Sequence, residues 1–369
     1  MNAFAAVGAA LLVSGVHAYV PTTYRALVAG SVGSSFRDVA RITEQPMPDL
    51  GADEVLIKVV YAGVNGGCET FRARGEFAFA SNRELEAFGL GAEGVGIVAA
   101  AGPGVDNVEI GDAVCFVGNG FAQYTKATAR MLWKVPQATS EMAALRISAL
   151  TACAMMEITG KVRAGETVLV TAAAGGAGHF AVQFAKLAGC TVIGTCSSPE
   201  KARALCSLGC DHIINHRTKD VGEALQRIAP NGVDVAFEGV GGKMLQTVLE
   251  HLKEDGRLLQ VGYISEYPHN PNRKEETASN ELEASSLFWS SKTIKRGKQT
   301  IYGNAWPKDF KAVAGCKERV LDLYASGELK ALVDEKHTFQ GLESVSDAIE
   351  YMLSGEAVGK VVVQVGDSE

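Results

Sequence analysis

One run of small residues suits the binding of a phosphate group. Ala173–Gly178, which reads AAGGAG, joins an apolar strand to a helix. It matches the dinucleotide-binding pattern GxGxxG, with Ala173 in place of the first glycine. Residues without side chains let the backbone approach a pyrophosphate, and the free N–H groups at the start of a helix attract anions. We therefore predict a dinucleotide-binding turn, rather than a simple packing turn, with contacts from Ala174, Gly175, Gly176, Ala177 and Gly178.

The end of the next strand indicates which dinucleotide would bind. An enzyme that uses NAD usually places Asp or Glu there for the ribose 2′-hydroxyl, but this chain has Cys196 followed by Ser197 and Ser198. Lys201 falls in the first turn of the next helix, where a cation opposes the helix dipole by a few tenths to about 1 kcal/mol. A bound 2′-phosphate would make that lysine favourable. We predict NADP(H); the alternative is a solvated pair of Glu200 and Lys201.

Further cofactor contacts are expected from residues that follow other strands of the same sheet. Ligands bind at the carboxyl ends of parallel strands in such folds. The residues in these places are His216, with Arg217 beside it, Gly239, Val261, Tyr263 and Asn304.

Two kinds of sequence pattern must position these residues. From Tyr24 to about Arg146 the chain alternates short strands, such as Glu54–Tyr61, with glycine-rich turns, which predicts a mainly β domain. From about Ile147 strands alternate with helices, and the strands are wholly apolar, as in a parallel sheet that is covered on both faces. The fold class predicted is α/β, a doubly wound parallel sheet plus a smaller β domain.

The elements of the second part can be placed from the sequence. The predicted strands are Thr167–Thr171, Thr191–Thr195, His212–Asn215, Val233–Phe237, Arg257–Val261 and Thr300–Tyr302. The first helix has Phe180, Phe184 and Leu187 on one face, and the second has Ser198 as its N-cap and Pro199 at its first position. Further helices are expected over Val221–Ile228 and Lys243–Leu252. A helix after Asp309 and a strand over Lys360–Val365 need not belong to this sheet.

Length and charge exclude several classes. A chain of 369 residues suggests about two domains. Its net charge is −7, which argues against nucleic-acid binding. Eight cysteines are scattered without a CxxC pair, which predicts buried or free thiols in a reducing compartment. Cys206 and Cys210 are expected on one helix face rather than at a metal.

Two segments do not fit this plan. Residues 1–20 hold a short apolar stretch, Phe4–Val16, followed by a cleavage-like Val-His-Ala, which predicts a secretory or plastid targeting peptide. The alternatives are a buried segment and a membrane anchor. If residues 1–20 are not a targeting peptide, we expect the chain in the cytoplasm. Pro268–Lys298 is predicted to be a surface insertion; alternatively its Leu287, Phe288 and Trp289 form a lid over a pocket.

The order of these parts resembles the medium-chain dehydrogenase/reductase superfamily over about Tyr24–Val365, and within it the zinc-free prostaglandin and quinone reductases. The motifs that carry the resemblance are GVN at 63–65, FGLGAEG at 88–94, VTAAAGGAG at 170–178, GTCSSPEK at 194–201, SLGCD at 207–211, IIN at 213–215 and VGKVVV at 358–363. The resemblance implies a GroES-like catalytic domain over 24–146 and 309–369, a Rossmann NADP-binding domain over 147–308, a small-molecule substrate and a homodimer formed at the sheet edge near Thr300–Asn304.

The positions that hold zinc in other members of this superfamily carry different residues here. Asn65, Ala92 and Ile147 stand where the resemblance places the three ligands, and the run of four cysteines that binds a structural zinc is absent. A tetrahedral site needs three or four nitrogen or sulfur ligands. We predict no metal.

The resemblance implies an NADPH-dependent reductase of an enone, such as an alkenal or an oxo-prostaglandin-like compound, or of a quinone. The charge would then form on a carbonyl oxygen as an enolate, which hydrogen bonds can stabilise. Candidate donors are Asn65, which replaces a metal ligand, and Tyr267 and Tyr263; Tyr267 lies in an ISxY segment like that of prostaglandin reductases. The alternatives are a structural asparagine and an exposed loop tyrosine. Phe77 lacks the hydroxyl of its counterpart, Glu93 is expected to be structural, and His216 could stack on the cofactor.

Two other classes of function stay open. One is an NADPH-binding protein with little or no turnover. The other is a zinc-dependent alcohol dehydrogenase, which would carry one bound metal per chain. The particular enone or quinone and the proton donor do not follow from the sequence.

Overall fold

The computed structural model describes residues 20–74, 87–267 and 283–366. Residues 1–19 of the predicted targeting segment, Phe77 and residues 268–282 of the predicted insertion lie outside these ranges. The strands are β1 Thr23–Ala29, β2 Ala40–Pro46, β3 Glu54–Gly63, β4 Phe88–Gly89, β5 Glu93–Ala101, β6 Ala113–Val117, β7 Tyr124–Thr128, β8 Trp133–Val135, β9 Thr167–Val170, β10 Thr191–Cys196, β11 His212–Asn215, β12 Val233–Glu238, β13 Leu252–Gln260, β14 Thr293–Arg296, β15 Gln299–Tyr302, β16 Phe339–Gln340 and β17 Val362–Gln364.

Helices separate most of these strands. They are α1 Phe36–Val39, α2 Gly66–Ala73, α3 Ser140–Ala144, α4 Leu150–Cys153, α5 Gly178–Leu187, α6 Pro199–Ser207, α7 Val221–Ile228, α8 Gly242–Glu250, α9 Ala284–Ser290, α10 Phe310–Ala325 and α11 Val345–Ser354. Wide π turns, Leu145–Ala149 and Ala154–Thr159, join α3 and α4 into one helix. By length and mean hydropathy this helix could span a membrane, but 72% of its apolar window is buried in the protein, as in a core helix.

The second half of the chain forms the predicted doubly wound sheet. Its strand order is β11-β10-β9-β12-β13-β15-β14, and every pair except β14 with β15 is parallel. Val168, Leu169 and Val170 of the central strand β9 are fully buried, as expected when helices cover both faces. The carboxyl ends of β9, β10, β12 and β13 therefore lie along one edge of the sheet.

The first half forms a mainly β domain that the end of the chain completes. One of its sheets has the order β16-β17-β3-β5-β6-β8, with β7 also paired to β3, and a smaller one has the order β2-β1-β4. Strand β17 is antiparallel to β3, with Val362 opposite Gly63. Since Lys360 lies just before β17 and Asn65 just after β3, the return of the chain brings these two residues together.

Several local predictions are wrong. Leu187 is 37% exposed although Phe180 and Phe184 are buried, because α5 ends there and its last turn reaches the surface. Cys206 is exposed and Cys210 buried, since α6 ends at Ser207 and the chain turns away before Cys210. Residue 252 begins β13 rather than ending a helix. All eight cysteines are free and six are buried, as predicted.

The region after residue 282 also differs from the prediction. The described part of the predicted insertion is not a surface loop: α9 buries Leu287 and Phe288, and β14 extends the sheet. Because β14 pairs with β15, the strand at Thr300–Tyr302 is not a sheet edge. The domain boundaries proposed at 146/147 and 308/309 stay predictions; the first falls within the helix Ser140–Thr159.

Candidate functional site

The turn between β9 and α5 has the backbone of an anion site. Ala172 adopts a left-handed conformation with φ 45°, and its carbonyl accepts a hydrogen bond from Gly175 N at 2.9 Å. A Cβ on Gly178 would lie 2.4 Å from the Ala172 oxygen, so only glycine fits there. The N–H of Gly176 faces Gly359 in a short parallel bridge, whereas the N–H of Ala177 forms no hydrogen bond within the described ranges. The Ala177 donor, at the start of a helix, suits a pyrophosphate.

The bend of this turn is one residue earlier than the glycine pattern predicts. The left-handed residue is Ala172, whereas the pattern placed the missing glycine at Ala173. A non-glycine residue in this conformation costs about 1–2 kcal/mol. The back of the turn is held by the end of the chain, because Gly359 N donates to Ala174 O at 2.7 Å.

A buried lysine follows β10, where a 2′-phosphate would lie. Ser198 Oγ caps α6 by accepting a hydrogen bond from Lys201 N at 3.2 Å, as predicted, and Ser197 lies beside it. The Lys201 side chain is 9% exposed, and its Nζ donates to Gly355 O at 2.6 Å. Burial lowers the pKa of Lys201, and the neighbouring cations Lys336 and Arg217 lower it further. An anion between these groups would relieve that repulsion.

The alternative in which Lys201 pairs with Glu200 is wrong. Glu200 binds Lys336 instead, at 2.6 Å, and no carboxylate of the described residues lies within 4.0 Å of Lys201 Nζ. His216 is held next to this group by a hydrogen bond from its N–H to Cys196 O at 3.0 Å. Partial burial lowers the pKa of His216, as do Arg217 and Lys201. The ring is thus uncharged at neutral pH and available to stack on a flat ligand.

The loops that follow β12 and β13 are bonded to each other. Val261 N donates to Glu238 O at 2.7 Å, and Gly239 N donates to Thr171 Oγ1 at 3.0 Å. The fully buried Glu238 carboxylate accepts from the N–H groups of Val240 and Gly241. Burial raises the pKa of Glu238 to about 7, although the two hydrogen bonds act to lower it. Asn304, after β15, has φ 45°, and its neighbour Ala305 donates to Gln260 O, so both loops end at the same edge.

An aromatic cluster surrounds the two predicted tyrosines. Its members are Phe71, Tyr263, Tyr267, Phe288 and Trp289. Phe71 belongs to α2 of the β domain and the other four to the Rossmann part, so the cluster joins the two domains. Tyr263 and Tyr267 are almost fully buried, which contradicts the alternative of an exposed loop tyrosine.

The hydroxyl groups of these tyrosines have different partners. Tyr263 Oη accepts the indole N–H of Trp289 at 2.7 Å. Burial raises the pKa of Tyr267, and a hydrogen bond from Tyr263 N acts in the opposite direction. A Cβ on Gly67 would lie 2.8 Å from Tyr267 Oη, and one on Gly66 3.4 Å from the ring. Tyr267 therefore lies against the segment that directly follows Asn65.

Asn65 belongs to a buried polar cluster with Glu93, Lys360 and Ser148. Lys360 Nζ lies 2.6 Å from Asn65 Oδ1, 2.6 Å from Glu93 Oε1 and 3.2 Å from Ser148 Oγ. Asn65 Nδ2 donates to Glu93 Oε1 at 2.9 Å and to Gly63 O at 3.3 Å. The lysine and glutamate are at most 2% exposed. Both Asn65 amide hydrogens are thus used within the protein, which contradicts the prediction that this amide donates to the substrate. Glu93 is buried and paired, and its structural role stays a prediction.

A π turn supplies two further members of this cluster. Leu145–Ala149 is wound widely enough to aim both Ser148 Oγ at Lys360 and the N–H of Ile147 at Glu93 Oε2, 2.7 Å away. π turns of this kind are frequent at functional sites. The carboxylate of Glu93 is consequently paired on both oxygens.

This chain's residues do not fit a catalytic zinc ion. At the three positions expected for ligands the chain has the amide of Asn65 and the apolar side chains of Ala92 and Ile147. The nearby carboxylate, Glu93, is neutralised by the Lys360 ammonium, and a second cation there would be repelled. Within the described ranges no three His, Cys, Asp or Glu side chains are grouped to hold a metal.

Comparison with known proteins decides the family. Residues 51–137 match the alcohol dehydrogenase GroES-like domain, and residues 176–315 match the zinc-binding dehydrogenase family. Mouse prostaglandin reductase-3 is 36% identical over 94% of this chain and 90% of its own length. The chain belongs to the medium-chain dehydrogenase/reductase family. The resemblance to prostaglandin reductases that the motifs indicated is therefore confirmed.

Other members of the medium-chain dehydrogenase/reductase family are similarly close. A probable quinone oxidoreductase of Leishmania amazonensis is 35% identical, covering 94% of this chain and 99% of its own. Among solved structures, a mycobacterial protein in complex with NADPH superposes with a TM-score of 0.74 at 26% identity, over 92% of this chain and 99% of the other. The GroES-like domain and the Rossmann sheet of the predicted fold are thus confirmed.

The structure brings together most of the predicted site residues and adds others. The cofactor candidates all lie at the carboxyl edge of the sheet, and Tyr267 lies beside the Asn65 segment. Residues that contact these candidates and that the motifs did not single out are Phe71, Ser148, Thr171, Glu238 and Lys360. Only Lys360 gave a signal, as a charge inside the apolar run VGKVVV, because lysine is almost never buried unless it is paired.

Proposed function

We propose that the chain is an NADPH-dependent, zinc-independent reductase of the activated C=C bond of an enone or of a quinone. The single observation that carries the proposal is the pair of binding features on one sheet edge: the glycine turn with the free N–H of Ala177 at the start of α5, and the cationic group around Lys201. The first suits a pyrophosphate and the second a 2′-phosphate. The names of the relatives, prostaglandin reductase-3 and quinone oxidoreductase, support the same reaction class.

The chemistry of the cleft favours a carbon–carbon or quinone acceptor over an alcohol. NADPH supplies the hydride when it is bound, and the charge that develops on the substrate oxygen needs hydrogen-bond donors. An alkoxide would need a stronger electrophile than the groups around Lys360 provide, because that ammonium is already bound by Asn65, Glu93 and Ser148. An enolate is delocalised, so one or two hydroxyl groups can stabilise it.

Within this proposal Tyr267 donates to the enolate oxygen. Its hydroxyl oxygen lies against Gly67 and Gly262, where an added Cβ would be 2.8 and 3.0 Å away, beside the segment that follows Asn65. Tyr263 is the second donor, tied to Trp289. Asn65 belongs to the same site through its neighbours Gly66 and Gly67, which touch the Tyr267 ring.

A cofactor-consumption assay tests the proposal. Purified chain is given NADPH and a panel of alkenals, cyclic enones, oxo-prostaglandin analogues and quinones, and the products are identified by mass spectrometry. We expect oxidation of NADPH with reduction of the C=C bond or the quinone. NADPH binding without turnover on any acceptor would favour a cofactor-binding protein, and bound zinc in one-to-one ratio with oxidation of simple alcohols would overturn the proposal.

Two further properties are proposed. The chain forms a homodimer, for which the outermost strand of the sheet, among the described residues, is β14 rather than the strand near Thr300–Asn304. Sedimentation analysis would give twice the mass of 38.8 kDa. Residues 1–20 act as a secretory or plastid targeting peptide. A fluorescent fusion that loses its localisation when these residues are removed would support that role, and an unchanged distribution would contradict it.

A further inference from the structure

The imidazole of His179 links the phosphate turn to the end of the chain. It lies in the first turn of α5 and is fully buried. Leu332 N donates to its Nε2 at 3.1 Å, and its Nδ1 lies 2.9 Å from Gly175 O. Since a backbone N–H can only donate, Nε2 is the acceptor and Nδ1 carries the hydrogen. Both nitrogens of the neutral ring are therefore used.

The environment keeps this ring neutral. Burial lowers the pKa of His179 to about 4, and the Lys360 ammonium acts in the same direction. At neutral pH the ring thus keeps one donor and one acceptor. A protonated ring could not accept the bond from Leu332.

The bonds of His179 run in sequence from the phosphate turn to the polar cluster. His179 binds Leu332 N, Leu332 O accepts from Lys360 N at 2.8 Å, and Lys360 Nζ binds Asn65. One helical turn later, Gln183 binds the same C-terminal segment through both the N–H and the carbonyl of Lys330, each at 2.8 Å. Within the described ranges Gln183 forms no hydrogen bond to Ala173–Gly178; it binds the backbone oxygen of His179, at 3.0 Å, so the two side chains share the segment but not the turn.

We propose that His179 is a positioning residue for the cofactor: its side chain ties Gly175 O, which also accepts from His179 N at 3.1 Å, to the C-terminal segment Leu329–Lys336 and so orients the phosphate turn. With Gly175 O fixed on one side, the N–H of Ala177 is left for the pyrophosphate, whereas the N–H of Gly176 takes part in the bridge with Gly359. The inference rests on the proposed function only in taking a nicotinamide dinucleotide as the ligand.

Two substitutions separate the two bonds of the ring. His179→Asn keeps an amide N–H near the Nδ1 position and loses the bond to Leu332. His179→Gln keeps an amide near the Nε2 position and loses the bond to Gly175 O. Gln183→Ala is the matched control, since it loosens the same segment without touching the turn.

The measurement is the Kd of NADPH and of NADH for the full chain, by fluorescence titration, together with kcat and the thermal midpoint. His179→Gln should weaken both cofactors by about five- to tenfold, as for one lost hydrogen bond, with kcat within about twofold. His179→Asn and Gln183→Ala should keep the Kd within about twofold while lowering the midpoint. Because both dinucleotides carry the pyrophosphate, the loss should be equal for the two.

Four outcomes decide the inference. An unchanged Kd in His179→Gln overturns it, as does an equal rise in Gln183→Ala, which would make His179 one structural contact among several. Binding of neither dinucleotide by the wild-type chain overturns the proposed function and this inference together. Tight binding by the wild type with the selective loss in His179→Gln supports both.

Discussion

Lys360 Nζ lies 2.6 Å from Asn65 Oδ1 although 295 residues separate them in the sequence. The contact exists because β17, near the end of the chain, pairs with β3, although the Rossmann strands lie between these two strands in the sequence. Through it the end of the chain, the phosphate turn and the start of helix α2 in the β domain share one buried network.

Removal of the ammonium should destabilise the fold. Lys360→Met leaves the buried Glu93 carboxylate without its partner, and such a loss costs about 3–5 kcal/mol. We expect this decrease in the free energy of unfolding by urea titration. The double variant Lys360→Met, Glu93→Gln removes the remaining charge and should recover much of the loss; if it is no more stable than the single variant, the buried charge is not the cause.

Replacement of Lys201 should separate the two dinucleotides. Lys201→Ala removes the buried cation at the 2′-phosphate position, so NADPH binding should weaken by at least about tenfold, the size of a lost charge-assisted hydrogen bond. NADH, which lacks that phosphate, should bind as before. Lys134→Ala is the control, since Lys134 lies in β8 of the other sheet and is paired with Asp112 at 2.7 Å. Equal losses for the two dinucleotides in Lys201→Ala would refute the role.

The sequence predicts well those features that depend on local pattern. The phosphate turn, the Ser198 cap and the apolar strands follow from residue type and spacing, and all are present. The partners of Asn65 could not be predicted in this way, because they come from three distant parts of the chain: β5, a π turn and the segment before β17. No local pattern predicts that Lys360 and Ser148 converge there.

Loops after strands were also only partly predictable. The glycine pattern identified the turn but placed its bend at Ala173 instead of Ala172, since the alanine at 172 tolerates the left-handed conformation only because the surrounding bonds fix it. Similarly, the apolar residues Leu287 and Phe288 gave no indication by themselves of whether they cover a pocket or pack in a core.

The fit of Gly178 gives a test of the phosphate turn. Gly178→Ala would place a Cβ 2.4 Å from the carbonyl oxygen of Ala172, so either the turn opens or the fold is lost. We expect a loss of about 1–3 kcal/mol, as for overpacking, and much weaker NADPH binding. Gly315→Ala, in α10 with nothing within 4 Å, should instead be stabilising by about 0.5–1 kcal/mol. Equal stability of the two variants in thermal melts would contradict this packing.

Glu238 should make stability depend on pH. Its pKa is 4.5 in the unfolded chain and about 7 in the folded one, so the folded state binds the extra proton between these values. The free energy of unfolding should therefore fall as the pH rises from 4.5 to 7, by up to about 1.4 kcal/mol per pH unit. His179 acts in the opposite direction between pH 6.5 and about 4, so the wild type alone would show a partly cancelled slope.

The variant Glu238→Gln isolates the Glu238 contribution. Glutamine keeps an oxygen that can accept from Val240 N, and it does not titrate. Urea titrations of the two proteins at several pH values should show that the wild type loses stability relative to the variant from pH 4.5 to 7, with no further change above pH 7. A difference that is constant across this range would show that the carboxyl group is not perturbed.

Loss of the Tyr267 hydroxyl tests the proposed enolate donor. Tyr267→Phe keeps the ring within the cluster of Phe71 and Tyr263 but removes the proton, and loss of one such donor lowers kcat by about 10²–10³-fold in other enzymes. Cofactor affinity should stay within about twofold. Tyr263→Phe is the matched control: it removes the hydroxyl that accepts from Trp289, and its kcat should fall less. A larger effect in Tyr263→Phe would reverse the two assignments, because it would place the donor on the residue that is bonded to the indole.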